Sequence, residues 1–168
     1  PILRDPVRPE RGDLIFMEST YGGRERPPQE ETVSQFKTLL KQAWDKRERI
    51  IIPAFAVGRT QIILYYIAEA VREGIIPREF PIYLDSPMGI EATALYTRFI
   101  AEHDAEMRQF FAEQVNPIFP PNLQVTPSSQ ESRKLNSLKG PAIIVSASGV
   151  LRAENPAHTA LFLRTPAP

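Results

Sequence analysis

The residues best suited to chemistry lie where apolar runs end. In DLIFMESTYGG (13–23), Leu14, Ile15, Phe16 and Met17 lead into Glu18 and three hydroxyls, Ser19, Thr20 and Tyr21. An unbroken apolar run suits a strand covered on both faces, so a buried strand is expected over 13–17. Ligands of open α/β sheets bind beyond the carboxyl ends of strands, which is where Glu18 would act as a functional carboxylate. The plain alternative is a solvated Glu before the sharp turn that Gly22 and Gly23 permit. The stretch IIIPAFAVGRT (50–60) repeats the pattern, with Gly58, Arg59 and Thr60 at the start of a helix. Free backbone N–H groups at a helix N-terminus, with a fork-shaped guanidinium beside them, can hold an anion; an ordinary βα turn with a surface Arg is the alternative. A third strand end, FPIYLDSP (80–87), carries Asp85 and Ser86. Ser86 can cap a helix with Pro87 in its first position, and Asp85 can either bind a ribose hydroxyl or help the cap. The fourth, AIIVSASG (142–149), places Ser146, Ser148 and Gly149 in a loop able to lie close to a phosphate or sugar.

The intervening segments have helical spacing. Val33, Phe36, Leu40, Ala43 and Trp44 predict a helix over 30–46, with Glu30 and Glu31 at its positive end. Ile62, Ile63, Tyr66, Ile67, Ala70 and Val71 predict one over 60–73 that Gly74 stops. Further helices are expected after Pro87, over 104–115, and from Ser128, whose spacing to Glu131 suits a capping box. A short strand is expected over 123–126. Strands alternating with helices imply an α/β fold, a mostly parallel sheet with helices on both faces. Glu18, the 54–59 loop, Asp85 and the 146–149 loop would then meet at one sheet edge.

Composition narrows the function classes. The 168 residues are enough for one domain with a real core. With 42% apolar residues and no apolar run near the length of a bilayer span, a membrane helix is excluded, and no membrane partner is expected. No signal-peptide pattern stands at the N-terminus. The chain lacks Cys, which removes disulfides and thiolate metal sites and fits a reducing, cytoplasmic setting. Twenty Lys and Arg balance twenty Asp and Glu, so the basic excess of a self-sufficient nucleic-acid binder is absent. The 17 prolines, about twice the usual share, concentrate at the ends and in loops. His103 and His158 are the only histidines, too few for a histidine-rich dizinc centre. No metal site and no cofactor is therefore expected in this chain. No P-loop or dinucleotide glycine fingerprint supports a small nucleotide-binding enzyme.

The four strand-end motifs, ESTYG (18–22), IIIPAFAVGRTQ (50–61), FPIYLDSPMG (80–89) and AIIVSASGV (142–150), occur in an order that closely resembles the β-CASP domain of the metallo-β-lactamase-fold nucleases. The resemblance implies a Rossmann-like three-layer domain inserted in a metallo-β-lactamase domain, with RNA in the cleft between the two. It implies zinc-dependent hydrolysis of RNA phosphodiesters, the zinc lying in the other domain. Glu18 would help position a histidine of that domain. Ser19, Thr20, Tyr21, Gly58, Arg59, Thr60, Asp85, Ser86, Ser146, Ser148 and Gly149 would guide the RNA. Residues 1–12 read as a linker or arm from the catalytic half, 13–151 as the β-CASP-like domain, and 152–168 as a divergent tail. Where relatives often carry a histidine after STYG, this chain has Arg24, Glu25 and Arg26. Where they show a Met, a Gly-Gly-Arg step and a His pair, it has Val150 to His158. His158 is either a remnant of that pair or a surface-loop residue.

The expectation is thus a truncated β-CASP cassette, inactive alone, whose partners are single-stranded RNA and a metallo-β-lactamase half in cis. The competing expectation is a non-catalytic RNA- or protein-binding scaffold that self-associates through the face the catalytic half would cover.

Overall fold

A computed structural model describes residues 2–25, 27–113 and 115–147. Its elements run α1 (Gln29–Asp45), β1 (Arg49–Ala54), α2 (Arg59–Arg72), β2 (Ile82–Asp85), α3 (Pro87–Arg98), a 3-10 turn (Ile100–Glu102), α4 (Ala105–Ala112), β3 (Leu123–Val125), α5 (Ser129–Leu135) and β4 (Ala142–Ala147). All strand pairs are parallel and the order is β1-β4-β2-β3. The expected α/β architecture is present.

The topology dictates the layers. From β1 to β2 to β3 the chain steps across the sheet in one direction, and from β3 to β4 it steps back. Right-handed crossovers in opposite directions put their helices on opposite faces. The main core accordingly joins Leu40 and Ala43 of α1, Ile63, Leu64 and Ile67 of α2 and Met107 of α4 to one face of the sheet. That face is built by the rows Ile50–Ile143–Ile82 and Ile52–Val145–Leu84. The opposite face, Ile51–Ile144–Tyr83, packs on Leu135 of α5 and on Leu138. The asymmetry follows from connectivity, because only the return crossover covers the second face. Central β4 is buried from Ala142 to Ser146, each at 5% exposure or less.

Helix ends follow the local signals. Ser86 Oγ accepts the Gly89 N–H at 3.0 Å, Asp104 Oδ1 accepts that of Met107 at 2.8 Å, and Ser128 and Glu131 form the expected capping box.

The expected strand over 13–17 does not form. Residues 13–17 pair with no strand, and Leu14, Ile15, Phe16 and Met17 are 76, 71, 90 and 85% exposed. A segment apolar on both faces needs a sheet neighbour and a layer on each side. Neither β1 nor β3, the two edge strands of the described sheet, takes it as a neighbour.

The N-terminal arm, by contrast, docks. Leu3 bridges His103 in antiparallel fashion, the Asp104 N–H donates to the Ile2 carbonyl at 3.1 Å, and Ile2 joins the core. His103 is fully buried and stacks on Phe111 with ring centroids 5.3 Å apart; among the described residues no hydrogen bond of good geometry reaches either ring nitrogen. Burial lowers its pKa below 6.5, only partly offset by Asp104 and the Tyr96 backbone. The unfolded chain therefore binds the extra proton first. This contribution to stability is complete above pH 6.5 and is lost as pH falls below that value. One such group changes stability by at most about 1.4 kcal/mol per pH unit. Urea unfolding from about pH 7.5 to about pH 5.5 should show that loss, and His103→Phe should flatten it.

Candidate functional site

The carboxyl ends of β1, β4 and β2 form one rim. In register there stand Pro53, Ser146 and Asp85, on the face that α5 covers. Beyond β1 the chain makes a constrained turn into α2. Gly58 has φ 81 and ψ −65, and the Arg59 N–H donates back to the Val57 carbonyl at 3.1 Å. These are the angles and the bond of the rare γ-turn, strained for any residue with a side chain.

A buried side chain fixes the turn. Gln61, fully buried, accepts the Gly58 N–H through Oε1 at 2.7 Å. Through Nε2 it donates to the Ala56 carbonyl at 3.1 Å and to Thr93 Oγ1 at 2.9 Å. Thr93 in turn donates to the Gly89 carbonyl at 2.6 Å. The Phe55 carbonyl accepts both the N–H and the hydroxyl of Thr60, at 3.2 and 2.8 Å. The loop from Phe55 to Arg59 is thus held from inside, while Phe55, Val57 and Arg59 face solvent. Neither α2 nor α3 has an acidic residue in its first turn, whereas α1, α4 and α5 each do. The strand-end side of α2 and α3 is therefore the more favourable for an anion.

The sequence-predicted residues fall into distinct places. Arg59 is exposed at the first position of α2, beside Gly58. Thr60 is buried and holds the loop. Ser86 is buried and caps α3, so the cap role belongs to it and not to Asp85. Asp85 Oδ1 accepts from Thr126 Oγ1 at 2.7 Å and Oδ2 from Ser132 Oγ at 3.0 Å, tying β2 to the end of β3 and to α5. Ser146 is buried beside it, its hydroxyl without a hydrogen-bond partner among the described residues. Glu18 accepts the Thr20 N–H at 2.9 Å in an exposed turn that also holds Ser19 and Tyr21. That turn is not placed at the rim by a strand of this sheet. Ser148, Gly149 and the tail with His158 lie outside the described residues.

Reasoning from sequence passed over Gln61, Thr93, Thr126 and Ser132. A signal existed for Gln61 alone: an amide at the third helical position, three residues after Gly58, has the spacing of a capping box.

Two other features bear on chemistry. A groove of about 680 Å³ runs between α1 and α2 and shares no lining residue with the rim. At its wall Lys37 Nζ meets Glu69 at 2.7 Å and Glu73 at 2.6 Å. Burial alone would lower the Lys37 pKa, but the two carboxylates hold it above the usual value. Its charge is neutralised within the fold. Among the described residues, no three His, Cys, Asp or Glu side chains gather as a metal site would require, and no helix is long and apolar enough to cross a membrane.

Comparison with known proteins agrees with the strand-end motifs. Residues 60–160, more than half of the chain, match the Beta-Casp domain family. Ribonuclease TTHA0252 of Thermus thermophilus is 37% identical over 150 residues, covering 89% of this chain and 34% of the relative. Transcription termination factor FttA of Thermococcus kodakarensis is 37% identical over 146 residues, covering 84% of this chain and 22% of the relative. FttA of Methanosarcina mazei is 28% identical over 167 residues, covering 91% and 26%. The chain spans about a third or less of the length of these relatives. With its parallel sheet, and with the strand-end motifs FPIYLDSPMG and AIIVSASGV inside the matched residues, the chain belongs to the Beta-Casp domain family.

Proposed function

We propose that this chain is the RNA-guiding portion of a zinc-dependent, metallo-β-lactamase-fold ribonuclease of the cytoplasm, inactive by itself. The observation that carries the reading is the strand-end rim. There Arg59 projects from a turn fixed by Gln61, at the N-terminal end of α2 and with no carboxylate in its first turn. Such a rim positions a phosphodiester backbone through charge and N–H groups without reading sequence. The zinc implied by the family resemblance has no ligand set among the described residues, so no catalytic step is assigned here. The metal would sit in a metallo-β-lactamase half acting in cis. Glu18, with Ser19, Thr20 and Tyr21, would face that half. Ser146, Ser148 and Gly149 would contact the RNA backbone beside Gly58 and Arg59.

The test is fluorescence anisotropy of a short single-stranded RNA at low and moderate salt, with and without EDTA. Binding should weaken with salt and ignore EDTA. Arg59→Gln should weaken it about tenfold and reduce the log–log salt slope by about 0.7, the value of one phosphate contact on a single strand. Absence of binding at either salt would overturn the reading.

A second reading, a scaffold that associates with itself or another protein, is favoured by one specific observation. The exposed run Leu14–Met17 is matched by Met88, Leu95 and Phe99, 65, 51 and 54% exposed, on or next to α3. Exposed apolar surface of this extent is a contact site in most proteins. Sedimentation showing a monomer at high concentration would remove the self-association form of this reading.

A further inference from the structure

The Phe55 ring, unlike its carbonyl, has no role in the fold or in the sites assigned above, and it stands in solvent at the rim. It is 74% exposed, flanked by Val57 at 63%, with Met88 of α3 also exposed at 65%. A large apolar side chain on a slack loop would turn inward. This one cannot, because the backbone before it is the end of β1, paired with β4, and the backbone after it is fixed by hydrogen bonds. Two bonds from Thr60 hold the Phe55 carbonyl and Gln61 holds the Ala56 carbonyl. The ring is held out in solvent by the same network that sets the γ-turn at Gly58. Four residues on stands Arg59, and from Pro53 to Ala68 the sequence contains no acidic residue.

We propose that Phe55 is a stacking platform for an unpaired nucleobase of an RNA strand whose phosphates pass Arg59. The proposal rests on the RNA-guiding reading and deepens it, since it specifies single-stranded substrate. A free π-face beside a cation is how proteins hold single strands without sequence preference, every base having a face to stack. In a duplex those faces are covered by neighbouring bases. A protein partner could also cover an exposed Phe, but it would have no need of the cation or of the acid-free helix end.

The experiment uses the full chain and two oligomers of about ten units, within the site size of such grooves. One is single-stranded RNA carrying 2-aminopurine; the other is an abasic ribose-phosphate strand of equal length. The intact chain should bind both and quench 2-aminopurine emission. Phe55→Ala should weaken RNA binding about tenfold, abolish the quenching, and leave the salt slope and the abasic strand unaffected. Phe55→Trp should keep both affinity and quenching. Arg59→Gln should weaken both oligomers. If Phe55→Ala binds RNA as tightly as the intact chain while Arg59→Gln does not, stacking is refuted and RNA guiding stands. If Phe55→Ala instead turns a dimer into a monomer at unchanged RNA affinity, the ring is a protein contact and the proposal falls. If the intact chain binds neither oligomer, the RNA-guiding reading fails and the stacking platform with it.

Discussion

Replacing Gln61 with alanine should cost about 2–4 kcal/mol of stability, summing the lost hydrogen bonds and the desolvated groups they leave. The side chain is fully buried and serves three partners at once: the Gly58 N–H, the Ala56 carbonyl and the Thr93 hydroxyl. Thr93 keeps its own bond to the Gly89 carbonyl, so part of the network survives. Gly58 and Ala56 do not fare as well. Both sit on a turn whose backbone angles are unfavourable without support. The loss should therefore be local as well as global. Amide exchange at Gly58 and Arg59 should accelerate beyond what the drop in unfolding free energy explains, because the turn opens on its own. Urea unfolding combined with native-state exchange checks both parts. Gln61→Glu sharpens the test. The carboxylate can still accept from Gly58, but it turns a second acceptor toward the Ala56 carbonyl, so it should rescue little. Full stability in both variants would show that the turn supports itself.

Asp85→Ala should be comparably costly, about 3 kcal/mol, since each hydrogen bond to a charged group contributes roughly 1.5–3 kcal/mol and part of the loss is regained by water at the rim. Two elements hang on this carboxylate, the end of β3 through Thr126 and α5 through Ser132. Thr126 has a second acceptor in the Leu84 carbonyl at 3.3 Å, so its hydroxyl is not stranded. Ser132 loses its carboxylate acceptor, and the anchoring of α5 should suffer more. Asp85→Asn keeps one acceptor oxygen and should fall between the wild type and the alanine variant. Thermal melts of the three proteins provide the ranking. An alanine variant within about 0.5 kcal/mol of wild type, the range of an ordinary surface substitution, would mean that the carboxylate is not structural and is free for a ligand.

These two residues show where sequence reading succeeds and stops. The strands at Ile50–Ile52 and Ala142–Val145 were legible because their apolar runs are local and bounded by Pro53 and Pro141. The capping at Ser86 and Ser128 was legible because donor and acceptor lie three residues apart. Asp85 offered only local choices, a cap or a free carboxylate, while its true partners lie 41 and 47 positions away. The run at 13–17 has the same apolar character as the run at 50–52, yet only the second is a strand. A strand is a relation between segments, and composition reports one party to it. Phe55 was legible only as part of the 54–59 loop, because nothing in that stretch tells an exposed ring from a buried one. The rim itself was foreseeable from topology. Asp85 and Ser146 stand side by side at one sheet edge, and the loop to Arg59 leaves β1 at that same edge, whereas no strand of this sheet delivers Glu18 there.

The strand order has a consequence for how the chain matures on the ribosome. Strand β4 is the last element described, yet it lies in the middle of the sheet and is the only strand bonded to both β1 and β2. Until residues 142–147 emerge, β1 and the β2–β3 pair have no common edge, leaving one lone strand and one strand pair with apolar faces open. Closure requires pairing Arg49–Ala54 with Ala142–Ala147, segments far apart in sequence, and such contacts form slowly and leave edges exposed while they wait. The strand that completes the sheet also positions Ser146 beside Asp85. The rim therefore comes into being at the same moment as the fold, and no earlier intermediate presents it.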